Sequence, residues 1–420
     1  MKIQNYYEGM WERKIPQILF YIGLTIELVM VIIDKSRYIN PIEGQLFRIT
    51  FLFFACKLLS TKYSAKEWVC ILLLETVAFI SYRVCGKNDL IRLVTFVAAC
   101  KGMDLKRVLR YTFYVTLLGC LAIILLAVTG IYGEMTSTQV FGHVGRDELD
   151  AARYYTGEPV YETRYTLGMG HPNALSCMFF MLVALGIYAW FERMKWYDYL
   201  FIMLLNIGVY ALTDSRTGLL ITSLFLAGAC AVTYSKLLRE KIFIYICGLL
   251  VFVLCIGFSV DAAVCAQRVR DLQWNDYFLG RHEDNRHIEI LSKIDESLTG
   301  RIVSLTDSER NDGMIETWSA FSCPENMDYY FDMGWVKVFY RYGIVPGILY
   351  LVVHLILLWR LYKNRDACGL VLFTAFAVYT VIEAHLISVY LGRNYLLIIM
   401  GYYLLQTDRN SLGNISLKGV

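Results

Sequence analysis

Long runs of apolar residues separated by short charged segments make up most of the chain. A membrane-spanning helix needs about 20 apolar residues, and in lipid only a helix or a closed barrel satisfies its backbone hydrogen bonds. The alternating pattern of barrel strands is absent, so the runs predict helices. We expect about twelve such helices. They cover residues 15–33, 45–60, 68–84, 89–100, 109–130, 171–191, 199–213, 218–233, 242–260, 343–359, 370–388 and 390–405.

Composition agrees with a chain embedded in lipid. The 420 residues are 57% hydrophobic and 18% charged, which exceeds the apolar content that a soluble core of this size requires. The net charge of +3 is nearly balanced, and no Lys/Arg tract carries interleaved aromatic residues. We therefore exclude nucleic acid as a partner. No cleavage site of a signal peptide precedes the first apolar run, which we interpret as a retained helix.

Lys and Arg residues in the short connections predict the orientation, because cytoplasmic loops hold an excess of them. With the N-terminus inside, the basic clusters fall on the cytoplasmic side: Arg13 and Lys14, Lys62 and Lys66, Lys101 and Arg107, Arg193 and Lys195, Lys236 and Arg239, Arg360 and Lys363. Two polar segments, residues 131–170 and 261–333, are then external loops too long for simple connectors. We expect one membrane domain over residues 1–420 with an external working surface.

The large loop at 261–333 has helical periodicity of its own. Apolar residues recur every three or four positions at Ile288, Leu291, Ile294, Leu298, Ile302 and Leu305. This spacing predicts amphipathic helices over the membrane boundary. The predicted fold class is an all-α polytopic membrane protein whose long external loop lies between the ninth and tenth spans.

Cysteine and histidine spacing gives no metal motif. Most of the 12 cysteines lie singly in apolar runs, where they act as small buried hydrophobes. Cys265 and Cys323 share the large loop, and a disulfide between them stays open as an alternative. His282 and His287 are five residues apart and would not share a helical face, so we expect no metal there. We also find no nucleotide-binding Gly-rich loop and expect no cofactor.

The first external loop ends in Arg164, followed by His171-Pro172-Asn173 directly before an apolar helix. Proline suits the first turn of a helix, and the free N–H groups of that turn attract anions. The ordinary alternative is a capped helix beside a loop arginine. In the short turn 214–218, Arg216 lies at the membrane boundary, where an arginine is costly without a partner. Asp214 could be that partner; otherwise the guanidinium of Arg216 suits lipid phosphates.

Further charged residues map to the same predicted face. Arg301 lies in the amphipathic stretch, and Asp332 directly precedes the tenth span. Three arginines with one carboxylate would form a diphosphate site with a base. Charges also occur within or beside spans, which favours either a transport path or buried structural pairs. Glu383, Arg393 and Arg341, together with the polar Asn394, could belong to the same external site.

In their order and side, these motifs resemble the O-antigen ligase and Wzy polymerase superfamily, and most closely the oligosaccharide repeat-unit polymerases of capsule and exopolysaccharide loci. The resemblance covers about residues 109–405 and rests on Arg164, His171-Pro172-Asn173, the turn 214–218, Thr299-Gly300-Arg301, and Asp332 followed by Gly343. The ligase branch usually has histidine and asparagine where this chain has Asp332 and Met333, which speaks against a ligase and leaves the base unidentified.

The resemblance implies a metal-independent glycosyltransferase of the GT-C type. Its catalytic residues would be Asp332, Arg216 and Arg301. The residues binding diphosphate or glycan would be Arg164, His171, Asn173, Arg216, Arg301, Arg341, Glu383, Arg393 and Asn394.

The function expected from this resemblance is polymerisation of lipid-linked repeat units. A growing glycan would move from polyprenyl diphosphate to the non-reducing end of another undecaprenyl diphosphate-linked oligosaccharide. The reaction would take place at the outer face of the bacterial cytoplasmic (inner) membrane, with both termini cytoplasmic. Membrane lipid, a chain-length regulator and a flippase are the other expected partners. The alternatives are a ligase-type transferase that moves the finished glycan to another acceptor, and a flippase for lipid-linked oligosaccharides.

Overall fold

The computed structural model describes residues 2–36, 38–141, 160–235, 238, 242–279, 285–306, 313–322, 331–384 and 394–405, with side chains described except at 2–13, 139–141, 160–162 and 274–279. Most of the described chain is helical. The helices are α1 (Lys2–Asp34), α2 (Glu43–Leu59), α3 (Ala65–Cys85), α4 (Asp89–Ala99), α5 (Leu105–Val128), α6 (Pro172–Trp190), α7 (Trp196–Thr213), α8 (Arg216–Tyr234), α9 (Ile242–Leu279), α10 (Arg286–Ser297), α11 (Gly334–Tyr342), α12 (Ile344–Lys363), α13 (Ala367–Ile382) and α14 (Leu396–Leu405).

The helical polytopic class is confirmed. In the described residues, 8 helices are long and apolar enough to cross a membrane: α1, α3, α5, α6, α7, α8, α9 and α12. The other four predicted spans coincide with helices too short for that criterion, namely α2, α4, α13 and α14. The prediction of about twelve spans therefore stays a prediction.

Two elements differ from the sequence prediction. Strands β1 (Thr136–Phe141) and β2 (Val160–Tyr165) form an antiparallel hairpin inside the predicted first external loop, with Thr136 opposite Tyr165. The ninth predicted span ends at residue 260, whereas the helix that contains it, α9, continues to Leu279. Its 38 residues measure roughly 57 Å, nearly twice the thickness of a bilayer core, so one half of α9 extends beyond the lipid.

The interior of the bundle is formed by α6, α13 and α14. Residues Leu396 to Gly401 of α14 are all buried, and α13 packs against both α8 and α9. By contrast α3, α5, α7 and α9 expose leucine, isoleucine, valine and phenylalanine side chains along their length. An apolar outer surface of this kind is the expected result where lipid is the solvent.

One end of the bundle is fastened by a half-buried carboxylate. Asp366 caps α13 by accepting a hydrogen bond from the Gly369 amide at 2.8 Å. It also accepts hydrogen bonds from the hydroxyl groups of Tyr188 in α6 and Tyr403 in α14, the latter at 2.6 Å. Nearby, Lys101 after the end of α4 pairs with Glu67 in the first turn of α3, and its ammonium lies 2.7 Å from the Glu67 carboxylate. The three interior helices are therefore joined at the end that carries the basic clusters.

At the opposite end, α6 and α8 approach each other closely at Gly218. A Cβ at this position would lie 1.7 Å from the Ser176 hydroxyl and 2.9 Å from its Cβ. We expect Gly218→Ala to lower the midpoint temperature of thermal unfolding in detergent, because such overpacking costs about 1–3 kcal/mol. The midpoint temperature is measured by heating samples to a series of temperatures and quantifying the remaining folded protein by size-exclusion chromatography.

Gly208→Ala is the matched control for that substitution. Gly208 lies in α7, and a Cβ there would meet no atom within 4 Å. Alanine is favoured over glycine in a helix by about 1 kcal/mol. The control should melt at the wild-type temperature or slightly above it, and equal melting of both variants would contradict the close contact at Gly218.

Candidate functional site

Arg301 lies between two carboxylates from distant parts of the chain. Its guanidinium forms an ion pair with Asp332, and its Nη2 lies 3.0 Å from Oε1 of Glu383. The side chains of Arg301, Asp332 and Glu383 are 14%, 28% and 20% exposed. Charges that are largely shielded from water interact more strongly than surface pairs. We call these three residues the central triad.

The turn after α10 presents Arg301. Thr299 and Gly300 have positive φ angles of 61° and 76°, which reverse the chain directly after the helix. The buried carboxylate of Asp295 then accepts a hydrogen bond from the Ile302 amide at 2.6 Å. Burial raises the pKa of Asp295, and this hydrogen bond opposes the rise. The backbone on either side of Arg301 is thus held against α10.

Close packing of α11 on α13 brings the two carboxylates together. A Cβ on Gly334 would lie 2.7 Å from the Thr380 carbonyl oxygen and 3.0 Å from the Ala384 Cα. Asp332 precedes Gly334 by two residues, and Glu383 directly follows α13. Only a residue without a side chain allows this approach, so the glycine sets the separation of Asp332 and Glu383.

Two lysines outside the sequence-predicted site act electrostatically on the triad. Burial raises the pKa of Glu383, and the positive charges of Arg301, Lys35 and Lys337 oppose that rise. Burial and the charge of Arg341 lower the pKa of Lys337 to about 8. Lys35 directly follows α1, and Lys337 is in α11. Each is a lone lysine at a helix end or in a short helix, a pattern that carries no functional signal by itself.

The Arg164 and Asp214 side chains connect the hairpin to the turn between α7 and α8. The Arg164 guanidinium lies 3.6 Å from Asp214 Oδ2. In the structure Asp214 therefore pairs with Arg164, and the alternative partner Arg216 is not paired with it. His171 caps the start of α6, where its Nδ1 accepts a hydrogen bond from the Asn173 amide at 3.1 Å. Burial, Arg164 and Lys35 all lower the pKa of His171.

These contacts place the candidate residues at one end of the helix bundle. Lys35 acts electrostatically on both His171 and Glu383, so the start of α6 and the end of α13 are neighbours there. Asp366 and its tyrosines lie at the other end of α13 and α6. Arginine and lysine groups that already neutralise carboxylates can exchange them for a phosphate-type anion. A carboxylate released in that exchange can accept a proton.

Besides Arg164, His171 and Asn173, four of the selected residues are not part of the triad. Arg216 is the first residue of α8, and its side chain is exposed. Arg341 pairs with Asp89 at the start of α4. Asn394 is fully buried and hydrogen-bonds to Tyr350. Arg393 lies outside the described residues, as do Cys323 and His282.

A group of side chains able to bind a metal was also missed. Ligand atoms of Asp261, Cys265 and His287 all lie within 4.8 Å of one another. His287 and His282 alone do not have the spacing of a metal motif. The spacing that carries the signal is Asp261 to Cys265, one helical turn apart at the end of the ninth apolar run.

No protein-family model matches the chain, and no significant match is found among curated proteins or solved structures. The fold and the site together define the class: a polytopic helical membrane protein with a cluster of ionic side chains at one end of its bundle.

The triad predicts a pH-dependent loss of stability in Arg301→Ala. Removing the guanidinium leaves two shielded carboxylates near each other, which we expect to cost about 1–3 kcal/mol at pH 8. The deficit should shrink towards pH 5, because protonation discharges Glu383, whose pKa burial already raises. Thermal unfolding at both pH values measures the difference.

Arg216→Ala is the control for this stability measurement. Its side chain is exposed, and the described residues include no ion pair to it. Exposed charges contribute little to folding. The control should melt as the wild type does at both pH values, and an equal pH-independent loss in both variants would contradict the role given to the triad.

Proposed function

We propose that this chain is a polymerase of lipid-linked oligosaccharide repeat units in the bacterial cytoplasmic (inner) membrane. It transfers a growing glycan from polyprenyl diphosphate to the non-reducing end of another polyprenyl-diphosphate-linked unit. The proposal includes about twelve spans, cytoplasmic termini and a site that faces outward. The observation that carries it is Arg301, held between Asp332 and Glu383 where Lys35 and Lys337 also lie.

The cations of the cluster account for binding of the donor diphosphate. The phosphate oxygens take the place of Asp332 or Glu383 on Arg301, whose planar guanidinium suits bidentate contacts to phosphate. Lys35 and Lys337 add positive charge at the same position. Arg216, exposed at the start of α8, meets the diphosphate at the level of the lipid headgroups. Arg164 and His171 flank the site at the start of α6.

The reaction proceeds without further activation of the donor. The acceptor hydroxyl attacks the anomeric carbon, its proton passes to a carboxylate, and the bond from that carbon to the diphosphate oxygen breaks. Polyprenyl diphosphate leaves as an anion that Arg301 and the lysines stabilise, an effect worth about 10²–10³ in rate per donor. Charge stabilisation by side chains makes the proposed transfer metal-independent.

Exchange of partners on Arg301 links donor binding to base catalysis. While Arg301 holds both carboxylates, its charge weakens them as proton acceptors. Once the diphosphate occupies Arg301, the released carboxylate becomes a stronger base. Burial raises the pKa of Glu383, so we assign the base to Glu383 and the anchoring of Arg301 in the empty site to Asp332.

A reconstituted assay tests the proposal. Purified protein in liposomes receives a defined polyprenyl-diphosphate-linked repeat unit, and the products are resolved by chain length on a gel. We expect long chains from the wild type and none from Arg301→Ala or Arg216→Ala. Arg216→Ala is the informative variant because its fold should be unaffected. Long chains from correctly inserted Arg301→Ala protein would sink the proposal.

A deletion strain separates polymerisation from the other roles considered. Loss of a polymerase leaves single repeats on the final acceptor, whereas loss of a ligase leaves long polymer on the lipid carrier. Loss of a flippase leaves lipid-linked units on the cytoplasmic leaflet. We expect the first pattern.

Lys337 gives the proposed donor site a dependence on pH. Its pKa of about 8 means that it is charged below pH 8 and neutral above. Binding a diphosphate above pH 8 then requires uptake of a proton, so KM for the donor should rise by up to about tenfold per pH unit. Lys337→Arg keeps its charge, and its KM should stay nearly flat over the same range.

Lys363→Arg is the matched control for the pH measurement, because Lys363 ends α12 at the opposite end of the bundle. Its KM should follow the wild-type curve. Parallel curves for Lys337→Arg and the wild type would exclude Lys337 from the donor site.

A further inference from the structure

Three side chains of different chemistry meet where α9 and α10 face each other. Nε2 of His287 lies 3.0 Å from Oδ2 of Asp261, and Sγ of Cys265 lies 3.7 Å from Oδ1 of Asp261. All three ligand atoms lie within 4.8 Å of one another. The set combines a thiol, an imidazole and a carboxylate.

These distances suit a single small cation. Zinc binds sulfur at about 2.3 Å and nitrogen or oxygen at about 2.0–2.2 Å, so tetrahedral ligand atoms lie roughly 3.3–3.8 Å apart. The sulfur-to-oxygen separation of 3.7 Å lies within that interval, and the nitrogen-to-oxygen separation of 3.0 Å lies just below it, so a shift of a few tenths of an ångström completes the geometry. The mixture of soft sulfur with nitrogen and oxygen favours zinc over magnesium or calcium.

The backbone presents the three ligands before any metal binds. Asp261 and Cys265 are four residues apart on α9 and therefore project from the same helical face. His287 is the second residue of α10, whose first turn is capped by Asn285, with Oδ1 accepting a hydrogen bond from the His287 amide at 3.0 Å. Rigid helical elements hold metal ligands more accurately than loops do.

One of the three ligands is buried and the other two are accessible, as expected for a metal bound near the protein surface. The Cys265 side chain is buried, while His287 and Asp261 are 52% and 39% exposed. A buried sulfur with two accessible partners leaves an entry path and a fourth position for water. The site lies on α9 directly after the predicted span 242–260.

We propose that Asp261, Cys265 and His287 bind one zinc ion that fastens α10 to α9. Binding forms one bond from each ligand to the metal and releases the Cys265 proton to solvent. The cross-link closes the segment between Cys265 and His287. Two contacts already join the same region to α9, since Gln273 donates to Asp295 at 3.0 Å and Arg270 donates to the Thr306 carbonyl.

The zinc ion has a structural role in this proposal. It positions α10, and the turn that ends α10 carries Arg301. The inference does not depend on which anion Arg301 binds or on any transferase activity. Cys265→Ser is therefore expected to reduce metal content and thermal stability whether or not the chain proves to be a polymerase.

Metal content of the purified full chain provides the first test. The protein is prepared in detergent under reducing conditions, stripped with a chelator, and incubated with zinc alone before gel filtration and elemental analysis. We expect about one zinc per chain in the wild type. Cys265→Ser and His287→Ala should retain less than about a tenth of that, because loss of one ligand from three removes most of the affinity.

Cobalt substitution identifies the sulfur ligand directly. Wild-type protein loaded with Co²⁺ should show a sulfur-to-cobalt charge-transfer band in the near ultraviolet, and Cys265→Ser should lack it. Cys255→Ser, which removes a buried thiol from the same helix, should keep both the band and the zinc. Asp271→Asn, an exposed carboxylate on α9, should also bind as the wild type does.

Thermal unfolding is a second measurement, and it can be interpreted even if one of the two ligand variants expresses poorly. Zinc should raise the midpoint temperature of the wild type and of Cys255→Ser, and it should leave Cys265→Ser and His287→Ala unchanged. Equal zinc in Cys265→Ser and Cys255→Ser, no zinc in the wild type, or a disulfide from Cys265 to Cys323 in the isolated protein would each overturn the proposal.

Discussion

The balance of charge around Arg301 is the constraint on which the candidate site depends. One guanidinium holds two carboxylates that arrive from opposite sides, Asp332 before α11 and Glu383 after α13. At that degree of shielding, removing the cation or a carboxylate leaves a poorly solvated charge, which lowers the stability of the fold. The packing of α10, α11 and α13 is thereby tied to a single electrostatic arrangement. Any ligand of the site has to compete with interactions that also support the fold.

Hydropathy predicted the apolar helices well because a segment in lipid has to satisfy its own backbone hydrogen bonds, which requires a long apolar helix. Each of the twelve predicted runs overlaps a helix of the structure. Their ends were less predictable. Asp261 interrupts the apolar run, yet α9 continues past it, because a helix that leaves the bilayer needs polar residues rather than a break. The hairpin of β1 and β2 escaped notice since its six-residue strands are too short to establish a period.

The candidate site was predicted in part, for a reason that individual residues make clear. Arg301, Asp332 and Glu383 came from separate motifs, and the structure brings them into contact. Lys35 and Lys337 were missed because their role depends on neighbours far away in the chain. Arg341 was selected by proximity in sequence, whereas the direction of its side chain on α11 brings it to Asp89. His287 was discarded because its partners, Asp261 and Cys265, lie more than twenty residues earlier.

The continuity of α9 has a mechanical consequence. One stiff rod passes from the lipid into the region that holds α10 and the turn bearing Arg301, with no hinge between the two. A helix adjusts to a thicker or thinner bilayer by changing its tilt. Because the outer half of the rod is long, a small tilt inside the membrane becomes a displacement of several ångströms at its tip. A change in the tilt of α9 therefore displaces the end of the helix that packs against α10.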